Sequence, residues 1–239
     1  MIKLEFEEKN MKLQLDFLPN YPEIKLYQDK DMICINTDTM VLGDFLEVYR
    51  NDTVLDIGTN NGSLLLYANR FSPKKLIGID INKEALEIAR KNMELNNITN
   101  CELIHTDANT YVGDQVDVIV CNPPYFKSTK DSINSSKNFV LAKHEDSLPL
   151  DNLIKTIKKN LKQEGKLFFV YQSSRLQELI DVFNKYKFKV KVMKFVYNVN
   201  KKNSNVVLIK AVNGGKLGLE VEKPIIIKNM KVMSEDENN

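Results

Sequence analysis

Short apolar runs alternate with amphipathic stretches along the chain from about residue 53. The runs TVLDIG, KLIGID, CELIHTD, VDVIV and KLFFVY are predicted strands. The stretches NGSLLLYANR, NKEALEIARKNMELNN, LPLDNLIKTIKKNLKQEG and SSRLQELIDVFNKY are predicted helices, and Gly165 is the predicted C-terminal end of the third. Strands that alternate with helices in this way predict an α/β fold around a mostly parallel sheet.

The last third of the chain has a different rhythm. KFKVKVMKFVYNVN and SNVVLIKAVNGG alternate apolar and polar residues on either side of a polar turn, which predicts an antiparallel hairpin at the sheet edge. In its first strand, lysines occupy every second position from Lys185 to Lys191, and a strand would place them on one face. We predict one domain over 1–239, with a strand-rich extension and a helix in 1–50, a core in 51–230 and a disordered tail in 231–239.

Acidic residues stand at the ends of three successive predicted strands. Asp56 and Asp80 end the first two, and Asp107 follows the third. After Asp56 the chain enters a turn at Gly58, the place where such sheets bind nucleotide-like ligands, and Asn60 suits this turn because Asn tolerates positive φ. A carboxylate can accept both hydroxyls of a ribose, and three carboxylates repel a diphosphate. They suit S-adenosylmethionine, although an Asp after a strand also serves as a turn or capping residue.

The fourth predicted strand, VDVIV, runs directly into the motif NPPY, formed by Asn122, Pro123, Pro124 and Tyr125. In this setting the motif resembles the hallmark of class I, Rossmann-like S-adenosylmethionine-dependent methyltransferases that modify exocyclic or amide nitrogens. The resemblance implies a seven-stranded, mostly parallel sheet with a C-terminal antiparallel hairpin and helices on both faces. It also implies S-adenosylmethionine as the cofactor.

The motif has a physical rationale for methylation of adenine N6. The side-chain oxygen of Asn122 and the carbonyl of Pro123 can accept the two N6 hydrogens, which directs the nitrogen lone pair toward the methyl donor. The two prolines restrict φ and hold these acceptors in place before the base arrives. Tyr125 offers a ring on which an unstacked base can lie.

Four further segments narrow the resemblance. YQDKDMICINTDTMVLGDF, AKHEDSLPLDNLI, SSRLQELI and VVLIKAVNGGKLGLEVEKPIIIKN are together similar to bacterial tRNA (adenine-N6)-methyltransferases that act on adenine 37 of tRNA1(Val). The likeness covers almost the whole chain and implies a tRNA substrate. Two residues depart from the family pattern: Asn60 replaces a glycine, and Lys143 replaces an arginine that would bind phosphate in bidentate fashion. The implied cofactor contacts are Gln28, Thr37, Asp38, Asp56, Gly58, Asn60, Asp80, Ile81, Asp107, Ala108 and Asn122.

Charge is distributed unevenly along the chain. Residues 151–230 contain 17 Lys and Arg against 6 Asp and Glu, although the whole chain has a net charge of only +2. This region is a candidate surface for nucleic acid, or simply a solvated face in a lysine-rich protein. The candidate nucleic-acid contacts are Lys143, Arg175, Lys187, Lys189, Lys191, Lys201 and Lys202.

Other classes of function are less well supported by the sequence. The two histidines and three cysteines have no metal-ligand spacing, and no apolar run reaches the roughly 20 residues of a membrane span, so we expect a cytoplasmic protein without a metal. The missing GxGxxG motif disfavours a nucleotide-dependent oxidoreductase. The remaining alternatives are a glutamine N5-methyltransferase with a release factor as its protein substrate, an N6-adenine methyltransferase acting on rRNA or DNA, and a non-catalytic RNA-binding module.

Overall fold

The computed structural model describes residues 12–32, 34–123 and 148–227. Within these ranges the chain forms a main sheet of nine strands and a separate two-stranded hairpin. The hairpin consists of β1 (Leu13–Leu18) and β2 (Tyr21–Asp29). The main sheet consists of β3 (Thr53–Ile57), β4 (Lys75–Asp80), β5 (Cys101–His105), β6 (Val116–Cys121), β7 (Leu161–Gln172), β8 (Phe188–Asn198), β9 (Val206–Asn213), β10 (Glu220–Val221) and β11 (Ile225–Ile227).

The strand order of the main sheet is β10-β8-β9-β7-β6-β3-β4-β5, with β11 also paired to β8. Neighbours among β3 to β7 are parallel, whereas β9 runs antiparallel to both β7 and β8. The predicted α/β fold with a mostly parallel sheet and a C-terminal antiparallel hairpin is therefore confirmed. The seven longer strands match the predicted number. Two short strands, β10 and β11, lie parallel to β8 and cover the outer edge of the hairpin.

Five helices are described alongside the sheet: α1 (Thr37–Asp44), α2 (Ser63–Asn69), α3 (Lys83–Leu95), α4 (Leu150–Asn160) and α5 (Leu176–Lys185). The chain moves one way across the sheet from β3 to β5 and the other way from β6 to β7. Since such crossovers are right-handed, α2 and α3 lie on one face and α4 on the other. The central strands are buried on both faces, which explains why VDVIV is almost wholly apolar.

The predicted end of the third helix is wrong. Helix α4 stops at Asn160, and Gly165 lies inside β7. The chain becomes extended at Leu161, and the Asn160 side chain fixes this end of the helix, because its amide donates to the carbonyls of Tyr111 and Thr156 and accepts from Gly113 N. The next residues form a bulge against β6, which the helical pattern of the sequence does not reveal.

The predicted lysine face is also wrong. Lys185 is the last residue of α5, and Lys187 precedes β8 in a left-handed conformation with φ +63°. A bulge between Val190 and Val192 then breaks the regular alternation of β8. The period-two spacing of these lysines therefore spans a helix end, a turn and a bulged strand, and it does not form a single row.

One buried side chain links the N-terminal hairpin to α3 and to the turn after β3. Asn92 of α3 is fully buried, accepts a hydrogen bond from Tyr27 N at 2.5 Å and donates to Tyr27 O at 3.0 Å. The same amide donates to Asn61 O at 2.9 Å, in the turn after β3. One amide thus joins the hairpin, a core helix and the turn that borders the candidate site.

Candidate active site

A cavity of about 410 Å³ opens where the carboxyl ends of β3 to β6 meet one edge of the sheet. Strand order reverses between β3 and β6, and ligands of such sheets bind at this switch point. The cavity brings together most of the residues predicted from the strand ends. Those that line it are Gly58, Asn60, Asp80, Ile81, Asp107, Ala108, Asn122 and Pro123.

The turn after β3 has the conformation that its glycines and asparagine allow. Gly58, Asn60 and Gly62 have φ angles of +76°, +48° and +80°. The value at Asn60 agrees with the prediction that Asn replaces glycine there without loss of the turn. At Gly62 a Cβ atom would lie only 3.1 Å from the side chain of Met93, so glycine also permits close packing of α2 on α3.

Two carboxylates at this edge present oxygen atoms to the cavity. Asp80 accepts hydrogen bonds from the backbone of Asn60 and Asn82, both at 2.8 Å, which fixes the carboxylate between two turns. Burial raises the pKa of Asp80, while these backbone donors oppose the rise. Asp107 accepts from the backbone and the side chain of Asn109 at 2.8 and 2.9 Å. Ile81 is a third backbone donor to Asp80, and a carboxylate has about four acceptor sites, so Asp80 can still accept a ligand hydroxyl.

Asp56 has a different position from Asp80 and Asp107. It is fully buried beneath the turn and accepts a hydrogen bond from the Thr59 hydroxyl at 2.7 Å. Burial raises its pKa to about 7. Its other oxygen has no hydrogen-bond partner among the described residues. Asp56 does not line the cavity in the described part of the chain. It supports the turn from beneath, through Thr59.

The segment before α1 forms another wall of the cavity. Gln28 lies behind this wall: its amide donates to Asp16 at 2.8 Å, and its oxygen accepts from Ile35 N at 2.7 Å. Thr37 and Asp38 begin α1, and burial raises the pKa of Asp38 to about 6. In the described part of the chain none of these three predicted contacts lines the cavity. The lining residues of this segment are Met32, Cys34, Ile35, Asn36 and Thr39.

Asn122 stands immediately after β6 with its side chain fixed by α1. Its amide nitrogen donates to the Thr39 hydroxyl at 3.1 Å. Thr39 in turn donates from its backbone N–H and its hydroxyl to the Asn36 side-chain oxygen, at 2.9 and 3.0 Å. Sequence reasoning missed Asn36 and Thr39, although Asn directly before a predicted helix is a typical N-cap signal. Pro123 is buried, and Pro124, Tyr125, Lys143 and the tail 231–239 lie outside the described residues.

The candidate basic residues lie in two groups. Lys201 and Lys202 are exposed in the turn between β8 and β9, on the same edge as the cavity, because the start of β9 pairs with the end of β7. Arg175 also follows β7, but its guanidinium makes two hydrogen bonds to Glu178, at 2.7 and 2.8 Å. Lys189 pairs with Val212 near the start of β7, so the group Lys187, Lys189 and Lys191 lies toward the opposite edge.

Comparison with known proteins places the chain in a family. Residues 34–198 match the methyltransferase small domain. The tRNA1(Val) (adenine(37)-N6)-methyltransferase of Cytophaga hutchinsonii is 30% identical over 184 residues, which cover 74% of this chain and 76% of the relative. The enzyme of the same name from Parabacteroides distasonis is 30% identical over 166 residues, covering 68% and 69%. The chain belongs to the tRNA1(Val) (adenine(37)-N6)-methyltransferase family. It is therefore an enzyme, a methyltransferase.

Solved structures show the same fold at low sequence identity. Trm5 of Methanocaldococcus jannaschii in complex with adenosine aligns with the methyltransferase at a TM-score of 0.64 and 16% identity, covering 87% of this chain and 58% of that one. The ribosomal protein L11 methylase of Lactobacillus delbrueckii subsp. bulgaricus has a TM-score of 0.59 and 19% identity, with 84% and 91% covered. SMU.1697c of Streptococcus mutans, in complex with SAH, has a TM-score of 0.51 and 21% identity, with 75% and 99% covered. These structures are Rossmann-like methyltransferases.

Two further observations concern the described part of the methyltransferase. No helix within it has the length and apolar character needed to cross a membrane. Its described residues also contain no group of three or more His, Cys, Asp or Glu side chains placed to hold a metal ion.

Proposed function

We propose that this methyltransferase uses S-adenosylmethionine to methylate N6 of an adenine in tRNA, at position 37 beside the anticodon of tRNA(Val). The observation that carries the proposal is the position of Asn122 and Pro123 on the wall of a cavity that also contains the Asp80 and Asp107 carboxylates. The names of the relatives support tRNA as the acceptor and adenine N6 as the atom. Since tRNA functions in the cytoplasm, we place the enzyme there.

The chemistry of the cavity fits S-adenosylmethionine. The ligand contains a ribose with two hydroxyl donors and two cationic groups, an ammonium and a sulfonium. Asp80 would accept the ribose hydroxyls, and the neighbouring Asp107 adds negative charge at the same edge. Ile81 and Ala108 offer apolar contacts for a flat base, and a Cβ atom at Gly58 would meet nothing within 4 Å, so this backbone is open to a ligand.

Asn122 and Pro123 would position the acceptor. The cofactor, when bound, supplies an electrophilic methyl group. The Asn122 side-chain oxygen and the Pro123 carbonyl accept the two N6 hydrogens of adenine, so the lone pair is no longer delocalised into the ring and can attack the methyl carbon. One N6 proton is released to solvent after transfer, so the chemistry needs no strong base. Positioning of this kind can lower a barrier by up to ~7 to 11 kcal/mol.

We further propose that the edge with the cavity is the edge that contacts the anticodon loop. Lys201 and Lys202 are exposed there and would bind phosphates, whereas the Arg175 guanidinium is already engaged by Glu178. An adenine in a loop is partly unstacked, so its entry into the cavity costs less than extrusion from a duplex. Contacts from Lys187, Lys189 and Lys191 would require the tRNA to extend toward the opposite edge.

The test is methyl transfer to total tRNA followed by nucleoside analysis and mapping of the modified position. We expect N6-methyladenosine with the native enzyme and a rate that is lower by roughly 100-fold, but still measurable, with Asn122→Ala. Parallel reactions with release factor, rRNA and DNA test the alternatives that share the NPPY motif. Methylation of release factor but not tRNA would replace the proposed substrate with a protein glutamine. Absence of N6-methyladenosine in every nucleic acid would refute the proposal.

A further inference from the structure

We infer that Thr39 is a positioning residue for Asn122, and that Asn36 sets the direction of the hydrogen bond between them. The inference rests on the proposed role of Asn122 in holding the adenine amine. That role requires the side-chain oxygen of Asn122, and not its nitrogen, to face the substrate. A primary amide can turn by 180° and exchange these two atoms, so some neighbouring group must select one orientation.

The direction of the hydrogen bonds follows from the backbone. Thr39 N–H can only donate, so the Asn36 side-chain atom that it contacts at 2.9 Å must be the oxygen. The Thr39 hydroxyl lies 3.0 Å from that same oxygen and must donate its single proton to it. The hydroxyl can then only accept from Asn122, and the Asn122 atom 3.1 Å away must be the nitrogen. The side-chain oxygen of Asn122 therefore faces away from Thr39.

The fold fixes the positions of all three residues. Asn36 is the N-cap of α1, and Thr39 is in the first turn of that helix, so the helix start fixes both groups. Asn122 follows β6, 83 residues later in the chain. All three residues line the same cavity. The start of α1 thus orients Asn122 through the Thr39 hydroxyl group and does not itself contact the adenine amine.

Thr39→Val tests the inference, because valine keeps the branched shape and removes the hydroxyl. We expect kcat for tRNA methylation to fall about tenfold, as for loss of one hydrogen bond that matters in the transition state. The KM for tRNA, and the Kd for S-adenosylmethionine measured by calorimetry, should change less than about twofold, because valine keeps the shape of the cavity wall. Thr39→Ser is the matched control: it restores the hydroxyl and should recover most of kcat.

Two measurements separate positioning from a general structural effect. In an Asn122→Ala background, Thr39→Val should cause no further loss, since the residue through which it acts is gone. In nitrogen-15 NMR spectra, the Asn122 side-chain amide signals, assigned by their absence in Asn122→Ala, should exchange with solvent faster in Thr39→Val. An unchanged kcat in Thr39→Val, or additive losses in the double variant, would overturn the inference alone. Wild-type methylation by Asn122→Ala would overturn both this inference and the proposed function of the motif.

Discussion

The two groups of lysines at opposite edges of the sheet allow a charge-matched test of the tRNA surface. Lys201→Glu with Lys202→Glu changes two exposed residues on the edge that contains the cavity. Lys187→Glu with Lys189→Glu makes the same change in net charge toward the other edge. If the anticodon loop lies over the cavity, only the first pair should weaken tRNA binding strongly.

The expected size follows from counterion release. Each phosphate contact with a single-stranded loop contributes about −0.7 to the slope of log K against log salt, which is roughly fivefold in affinity at about 0.1 M salt. Loss of two contacts at Lys201 and Lys202 should therefore weaken binding roughly 25-fold and make the slope shallower by about 1.4. Charge reversal adds repulsion, so these values are lower bounds. The control pair should change affinity less than about threefold, through the long-range field alone.

The assay is tRNA binding by fluorescence polarisation over a series of KCl concentrations, with cofactor affinity measured in parallel to show that the cavity is intact. The slope of log K against log salt is more informative than a single affinity. Loss of two phosphate contacts makes the slope shallower by a set amount, whereas partial unfolding lowers the affinity without that change. Equal losses for both pairs would show that only net charge matters. A larger loss for Lys187 and Lys189 would place the tRNA on the other edge and refute the proposed docking.

Three further predictions concern the turn after β3 and its supports. Asp80→Asn should weaken S-adenosylmethionine binding roughly 10- to 100-fold in calorimetry, because it removes the charge from the acceptor of the ribose hydroxyls; a change below about threefold would contradict that role. Since burial raises the pKa of Asp56 to about 7, the folded state keeps a proton that the unfolded chain releases near pH 4. The free energy of unfolding should therefore fall as pH rises toward 7, by roughly 1.4 kcal/mol per pH unit at most, and urea titrations at several pH values should show that Asp56→Asn lacks this part of the decline. Asn92→Ala should reduce the free energy of unfolding by ~3 kcal/mol, because it leaves unpaired two part-buried backbone groups of Tyr27 and the buried carbonyl of Asn61. A loss below ~1 kcal/mol in urea denaturation would show that water replaces the amide.

The sequence predicted the fold well where burial dominates. Strands β3, β4, β6 and β7 are buried on both faces, so their apolar runs were unambiguous. The prediction failed where a local interaction decides the structure. The contacts of the Asn160 side chain fix the end of α4 before Gly165, and the bulge in β8 disrupts the lysine spacing. Strands β10 and β11 are too short to show an alternation.

The sequence predicted the part of the candidate site that lies at the strand ends, but not the wall before α1. Residues at the ends of parallel strands must meet at one edge, so Gly58, Asp80, Asp107 and Asn122 could be brought together from the sequence alone. The wall formed by residues 34–39 could not, because its position depends on how the N-terminal segment packs across the sheet. The resemblance to known methyltransferases indicated Gln28, Thr37 and Asp38 in this region, and the structure places their neighbours Ile35, Asn36 and Thr39 on the cavity.

The triple hydrogen bond of Asn92 makes the N-terminal hairpin and the cofactor turn one cooperative unit. Neither β2 at Tyr27 nor the turn at Asn61 can open locally without breaking contacts to an amide that the other also uses. A ligand that holds the turn closed therefore also slows the opening of the hairpin at Tyr27. Tyr27 does not line the cavity, yet its amide hydrogen should exchange more slowly when the cofactor is bound.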